Sequence, residues 1–132
     1  MNGLVRGAVE TLVNAHVPQE CVVVARVPGS FELPLACAEF ARRREFCTVI
    51  ALGCIVRGET THNTHIANAV FSALTTLSLE TSKPIALGVV TAETMEQAAA
   101  RAGGANGNRG ADAAHAAIEM LSLLTSIRAG AV

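Results

Sequence analysis

Apolar and polar positions along the chain switch between a helical and a strand period, and the two alternate. Leu4, Ala8, Leu12 and Ala15 recur every three to four residues, which predicts a helix over residues 4–15. Residues 21–27, CVVVARV, are β-branched and nearly continuous, the mark of a buried strand, and Pro28-Gly29 ends it. A helix over 33–44 follows, with Arg42, Arg43 and Arg44 in its last turn, where cations suit the helix dipole. The pattern then predicts a strand over 48–56, a long helix over 61–80, a strand over 85–90 introduced by Pro84, and helices over 94–102 and 111–127. Thr91 or Glu93 stands near the cap of the penultimate helix, and a glycine-rich break, GGANGNRG, separates it from the last. Helices and strands in this order imply an α/β fold, a parallel sheet covered on both faces in three α/β/α layers. A chain of 132 residues makes one domain, spanning 1–132.

Composition narrows the possible partners. The formal charge is −1 with no basic stripe, which argues against a nucleic-acid partner held by phosphate neutralisation. No apolar run reaches the roughly 20 residues that span a bilayer, so no membrane partner is expected. The start, MNGLVRGAVE, lacks the apolar core of a signal peptide, and the expected location is cytoplasmic. Cys21, Cys37, Cys47 and Cys54 show no close paired spacing and read as buried reduced thiols. Hydrophobic residues make up 51% and charged residues 16%, low against the roughly 25% charged of typical domains, which suggests that the chain buries surface against copies of itself.

The chemistry concentrates where strands end. In open α/β sheets ligands gather outside the carboxyl ends of the strands. The stretch VIALGCIVRGETTHNTH runs there from a buried strand into a loop with Arg57, Glu59, Thr60 and Thr61, then into a helix start with His62. An imidazole in that place can shuttle protons near neutral pH. Gly29-Ser30-Phe31-Glu32 occupies the corresponding turn after the preceding strand; it either points backbone N–H groups and Glu32 at a ligand, or is a plain turn whose Glu32 stabilises a helix start. His62 and His65 share a helix face, but only Cys54 stands near enough to add to them, so no metal is expected. His16 and His115 read as ordinary helix residues. Arg101 and Arg109 flank the glycine-rich break, with Gly110 opening a helix; two guanidinium forks and free N–H groups there suit a phosphate, the alternative being a closed turn with a solvated arginine. GANGNRG lacks the Gly-Lys-Ser/Thr ending of a Walker loop.

Four motifs in register, VPGSFELP at 27–34, ALGCIVRGETTH at 51–62, KPIALGVVT at 83–91 and EQAAARAGGANGNRGADAAHAAIEM at 96–120, closely resemble the 6,7-dimethyl-8-ribityllumazine synthase family of riboflavin biosynthesis. The resemblance covers nearly the whole chain. It implies a transferase that condenses 5-amino-6-ribitylaminouracil with 3,4-dihydroxy-2-butanone 4-phosphate, releasing phosphate and water, with no cofactor and no metal. It assigns Ser30, Phe31 and Glu32 to the ribityl and ring side of the pyrimidine and Cys54, Ile55 and Val56 to its ring edge. Glu59, Thr60 and Thr61 would line the space where the butanone phosphate meets it, His62 would be the proton shuttle, and Arg101 and Arg109 would hold the phosphate. It also implies a homopentamer whose sites lie between subunits, so that Leu87, Arg101 and Arg109 face a neighbour's Glu32 and His62. Some members build a 60-subunit shell from twelve such pentamers, and riboflavin synthase is a candidate protein partner.

The resemblance carries departures. The implied sheet is flavodoxin-like, in the order 2-1-3-4, and its central first strand, followed by a stacking aromatic residue, should precede Leu4, where three residues stand. Leu87 replaces an aromatic residue, Arg109 often a lysine, and His65 often an aromatic. The second reading is therefore a non-catalytic relative that binds ligand or builds a shell; the third is an unrelated anion- or metal-binding module.

Overall fold

A computed structural model describes residues 1–132. Its centre is a pair of parallel strands, β1 (Val49–Val56) and β2 (Ile85–Ala92), in register from Val49 opposite Ile85 to Val56 opposite Ala92. The chain enters through α1 (Asn2–Asn14) and α2 (Leu33–Ala41); α3 (His62–Thr81) crosses from β1 to β2, and α4 (Met95–Ala100) and α5 (Arg109–Arg128) follow β2. Between α4 and α5 lies a small antiparallel hairpin, β3 (Ala102–Gly104) with β4 (Gly107–Asn108). No helix is long and apolar enough to cross a membrane.

Side-chain period decides the layers. Successive strand residues face opposite ways. On one face Ala51 packs with Cys37, Ala38 and Ala41 of α2 and with Val70, Leu74 and Leu77 of α3, whose spacing is the helical three and four. On the other, Ala86 meets Ala113 and Ala117 of α5, while Val90 and Ala92 meet Leu4 of α1 and Ala98 of α4. Burying a side chain such as Leu4 or Val70, each 1% exposed, is worth about 1.5–3 kcal/mol. The result is the expected α/β fold, with helices on both faces of a parallel sheet.

The small residues of α5, Gly110, Ala113, Ala114 and Ala117, let α1 come close. A Cβ on Gly110 would stand 2.0 Å from the Leu4 carbonyl oxygen, and one on Gly7 2.3 Å from Asn108 Nδ2. At Gly110 the two helices touch backbone to backbone, while over Gly7 the Asn108 side chain fills the space a Cβ would take.

The strand predicted over 21–27 is not formed. A 3-10 turn, Gln19–Cys21, leads instead into an unpaired extended segment in which Val23 and Val24 are 58% and 53% exposed. The reason is pairing. The Val49 and Arg57 amides donate across to Pro84 and Ala92 of the β2 side, so the intervening set at Ile50, Leu52, Cys54 and Val56 turns its amides to the other edge, where no strand lies. An apolar segment becomes a strand only when a neighbour takes its hydrogen bonds. Of the order 2-1-3-4, only the pairing of the last two strands is present.

The arginine run also falls outside its predicted helix. The second helix stops at Ala41, Arg42 is its cap, and Arg43 and Arg44 lie in the turn beyond. Lys83 Nζ donates to the carbonyls of Arg43 and Phe46, both at 2.7 Å, and pulls the chain into that turn. Phe46 meets Phe40 edge-on at 5.1 Å, Arg43 pairs with Glu45, and the Arg43 guanidinium lies 5.2 Å from the Phe46 ring centre. The penultimate helix starts later than predicted because Thr94 is its cap, its hydroxyl accepting from the Gln97 amide at 3.2 Å. His16 sits in a left-handed turn after α1 at φ 65°, not in a helix.

Candidate active site

The carboxyl end of β1 opens into a cavity of 480 Å³. Three short pieces of chain build it. The 3-10 turn Ser30–Glu32, at the start of α2, brings Ser30, Phe31 and Glu32 to one wall. Ser30 Oγ donates to the Cys54 carbonyl at 3.3 Å, which fastens that turn to the free edge of β1. A Cβ on Gly29 would lie 3.0 Å from Glu32 Oε2, so the carboxylate folds back over the glycine. The end of β1 supplies Cys54, Ile55 and Val56, and the loop into α3 supplies Thr60 and His62. His62 is exposed, and its amide donates to Thr60 Oγ1 at 3.3 Å, which helps fix the first turn of α3.

Eight of the residues singled out in the sequence thus share one cavity. Glu59 and Thr61 lie in the same loop, exposed, and do not line it. Asn63 and Ile66 do, and were missed. Ile66 stands four residues on from His62 and three from Asn63, spacings that put it on a helix face with each of them.

A second cavity, of 250 Å³, lies against β2 and shares no residue with the first. It holds Leu87, Arg101 and Arg109 together, with Val89 and Thr91 beside Leu87 on the same face of the strand. The strand period of two from Leu87 reaches both of these missed residues, and Val90, missed as well, lies off that period. Arg101 and Arg109 meet because the hairpin between them closes: the Arg109 amide donates to the Arg101 carbonyl at 2.9 Å, and Gly103 and Gly107 take the positive φ values of 103° and 81° that the tight turn needs.

The helix N–H groups expected for an anion here are already engaged. The last helix begins at Arg109, and the Asn108 side chain caps it, Oδ1 accepting from Gly110 and Ala111 at 2.9 and 3.2 Å. Any anion in this cavity is left to the two guanidinium groups, and Arg109 also pairs with Asp112 at 3.0 Å. Arg57 and Glu93, just past the ends of β1 and β2, form an ion pair at 2.8 Å that holds the Arg57 guanidinium more firmly protonated.

The cysteines do not behave as one class. Cys37 is buried in the α2–α3 core, and burial pushes its thiol up to about 11. Cys54 is half-buried in the cavity wall and is raised for the same reason. Cys21 and Cys47 are exposed, against the expectation that all four are buried: one lies at the head of the unpaired segment, the other in the turn before β1. No three potential metal-ligating side chains gather anywhere in the fold. His65 is exposed on α3, outside both cavities, and His115 is exposed on α5.

Fold and cavities together define a class: an α/β protein with a small-molecule site at the carboxyl ends of its parallel strands. Comparison with known proteins makes this specific. The family model for 6,7-dimethyl-8-ribityllumazine synthase matches residues 1–125. A 6,7-dimethyl-8-ribityllumazine synthase of Aquifex aeolicus (strain VF5) is 47% identical over 125 residues, covering 95% of this chain and 81% of the relative. Proteins of the same name from Xylella fastidiosa strains M12 and M23 are each 40% identical over 126 residues, covering 96% of this chain and 82% of theirs. The chain belongs to the 6,7-dimethyl-8-ribityllumazine synthase family.

Proposed function

We propose that this chain is a transferase of riboflavin biosynthesis that condenses 5-amino-6-ribitylaminouracil with 3,4-dihydroxy-2-butanone 4-phosphate to give 6,7-dimethyl-8-ribityllumazine, phosphate and water. The observation that carries the reading is the cavity off β1, where His62 stands among Ser30, Phe31, Glu32 and the Cys54–Val56 edge. The pyrimidine lies along that edge, with Phe31 and Ile55 giving apolar contact and Ser30 and Glu32 polar contact. His62 moves protons as the amine attacks the ketone and water leaves, and Arg101 and Arg109 hold the phosphate until it is expelled. Glu59, Thr60 and Thr61 border the space between the reactants. Holding two reactants together supplies much of the rate, on the order of 7–11 kcal/mol at best, so one proton-transfer group and one anion pocket suffice.

The working form is a homopentamer, in the cytoplasm, able to extend to a 60-subunit shell, with riboflavin synthase as a partner that consumes the product. Two observations support a shared site. Histidine and arginines lie in cavities that have no residue in common, and apolar side chains such as Leu35 and Leu79 stand 71% and 77% exposed. The test is the rise of lumazine absorbance after mixing protein with both substrates, against the uncatalysed condensation. Acceleration lost in Arg101→Ala and reduced in His62→Ala supports the synthase; no acceleration by folded protein refutes it and leaves the non-catalytic relative.

A further inference from the structure

We propose that Asn108 is a positioning residue that aims the Arg101–Arg109 hairpin at the phosphate of the substrate by tying it to α1. The inference rests on the reading above that these arginines hold the phosphate. The Asn108 side chain is committed at both ends. Its oxygen caps α5, and its Nδ2 donates to the Gly3 carbonyl of α1 at 2.8 Å. The amide plane lies in the gap over Gly7, where a Cβ would come within 2.3–2.5 Å of Nδ2, Cγ and Oδ1. Asn108 is also the last hairpin residue, paired with Ala102 and flanked by Arg109, whose amide is bonded back to the Arg101 carbonyl.

One residue therefore joins three things, its side chain binding the start of α5 and a helix on the outer layer and its backbone belonging to the two-arginine hairpin. Because Asn108 occupies the helix N–H groups, an anion has only the guanidinium forks, and their effect depends on where the hairpin carries them. A bidentate contact with phosphate is sensitive to placement, since two parallel charge-assisted hydrogen bonds form only when the planar fork meets both oxygens. A mere helix cap would need only the oxygen. The Gly3 bond and the cleared space at Gly7 go beyond that need.

Two variants separate the roles. Asn108→Ser keeps a good capping oxygen and is too short to reach Gly3. Gly7→Ala leaves residue 108 in place and displaces its whole amide, cap oxygen included, so it tests the placement of the side chain while Asn108→Ser isolates the tie from the cap. Binding of inorganic phosphate is measured by calorimetry, and KM is measured for each substrate. In both variants the phosphate Kd and the KM for the butanone phosphate rise about tenfold. The KM for the pyrimidine moves less than about twofold, since its pocket is the other cavity. If the wild type binds phosphate in an Arg101-dependent way and both variants bind it equally well, the positioning role is wrong. A parallel change in both KM values overturns it too, as general loosening would do that. If the wild type shows no Arg101-dependent phosphate binding, the functional reading fails, and this inference with it.

Discussion

Replacing Gly110 with alanine sets two effects of opposite sign against each other. Inside a helix alanine is favoured over glycine by up to about 1 kcal/mol, less in the first turn. Opposing this, the new Cβ would stand 2.0, 2.7 and 2.9 Å from the oxygen, carbon and Cα of Leu4, all backbone atoms that no rotamer change can move. Reaching an ordinary contact of about 3.4 Å from 2.0 Å requires the two backbones to part by about 1.4 Å there, and overpacking of this kind costs about 1–3 kcal/mol. The separation also lifts Leu4, 1% exposed, from Val90, Ala92 and Ala98, and a gap of 0.5–1 Å forfeits roughly a quarter to a half of each contact's attraction. The clash wins, with a net loss of about 2 kcal/mol and a fall in Tm of about 4–10 °C. Urea unfolding followed by circular dichroism, at fixed protein concentration because assembly adds to apparent stability, measures it. Gly58→Ala, whose Cβ would meet nothing within 4 Å, is the control and stays within about 0.5 kcal/mol of wild type. If Gly110→Ala is as stable as wild type or more so, the backbone-to-backbone approach of α1 and α5 is wrong.

Further expectations follow from the site and the core. His62→Ala lowers kcat by about a hundredfold and moves KM little, because proximity and the phosphate pocket persist; complete loss of turnover in a folded variant contradicts the division of labour. Mixing unfolded His62→Ala and Arg101→Ala chains in equal amounts and refolding them restores about a quarter of the sites if each is built from two copies in a head-to-tail ring; activity no higher than the average of the two variants excludes a shared site. Thiol reagents label Cys21 and Cys47 first, Cys54 more slowly and Cys37 only on unfolding, and early labelling of Cys37 would place it outside the core. The folded chain raises the Cys37 thiol from 9.0 to about 11, so it keeps a proton that the unfolded chain loses. Stability from this group is complete below about pH 9 and is lost as pH rises through 11, by about 2–3 kcal/mol. Compared with Cys37→Ala, the wild type therefore falls more steeply in urea stability over that range; parallel curves refute the burial effect.

The sequence alone located much of this molecule, because the information was local. Apolar runs with a period of two or of three to four marked β1, β2 and all five helices to within a few residues, and the strand-to-helix loop at Arg57–His62 announced its chemistry through residue type. Four motifs in register were enough to indicate the family. What the sequence could not show depended on neighbours distant in the chain. CVVVARV has every intrinsic property of a strand and stays unpaired, because pairing belongs to the adjacent backbone and not to the segment. The arginines at 43 and 44 left their helix because Lys83, some forty positions away, holds the turn. Cys21 and Cys47 carry the same side chain as Cys37, and only packing makes one inert and leaves the others exposed. The separation of His62 from Arg101 and Arg109 into two cavities, and the tie from Asn108 across 105 residues to Gly3, exist only once the helices have closed over the sheet. Propensity and period act over a few residues and are written in the chain; pairing, burial and convergence are relations between segments, and the tertiary structure alone decides them.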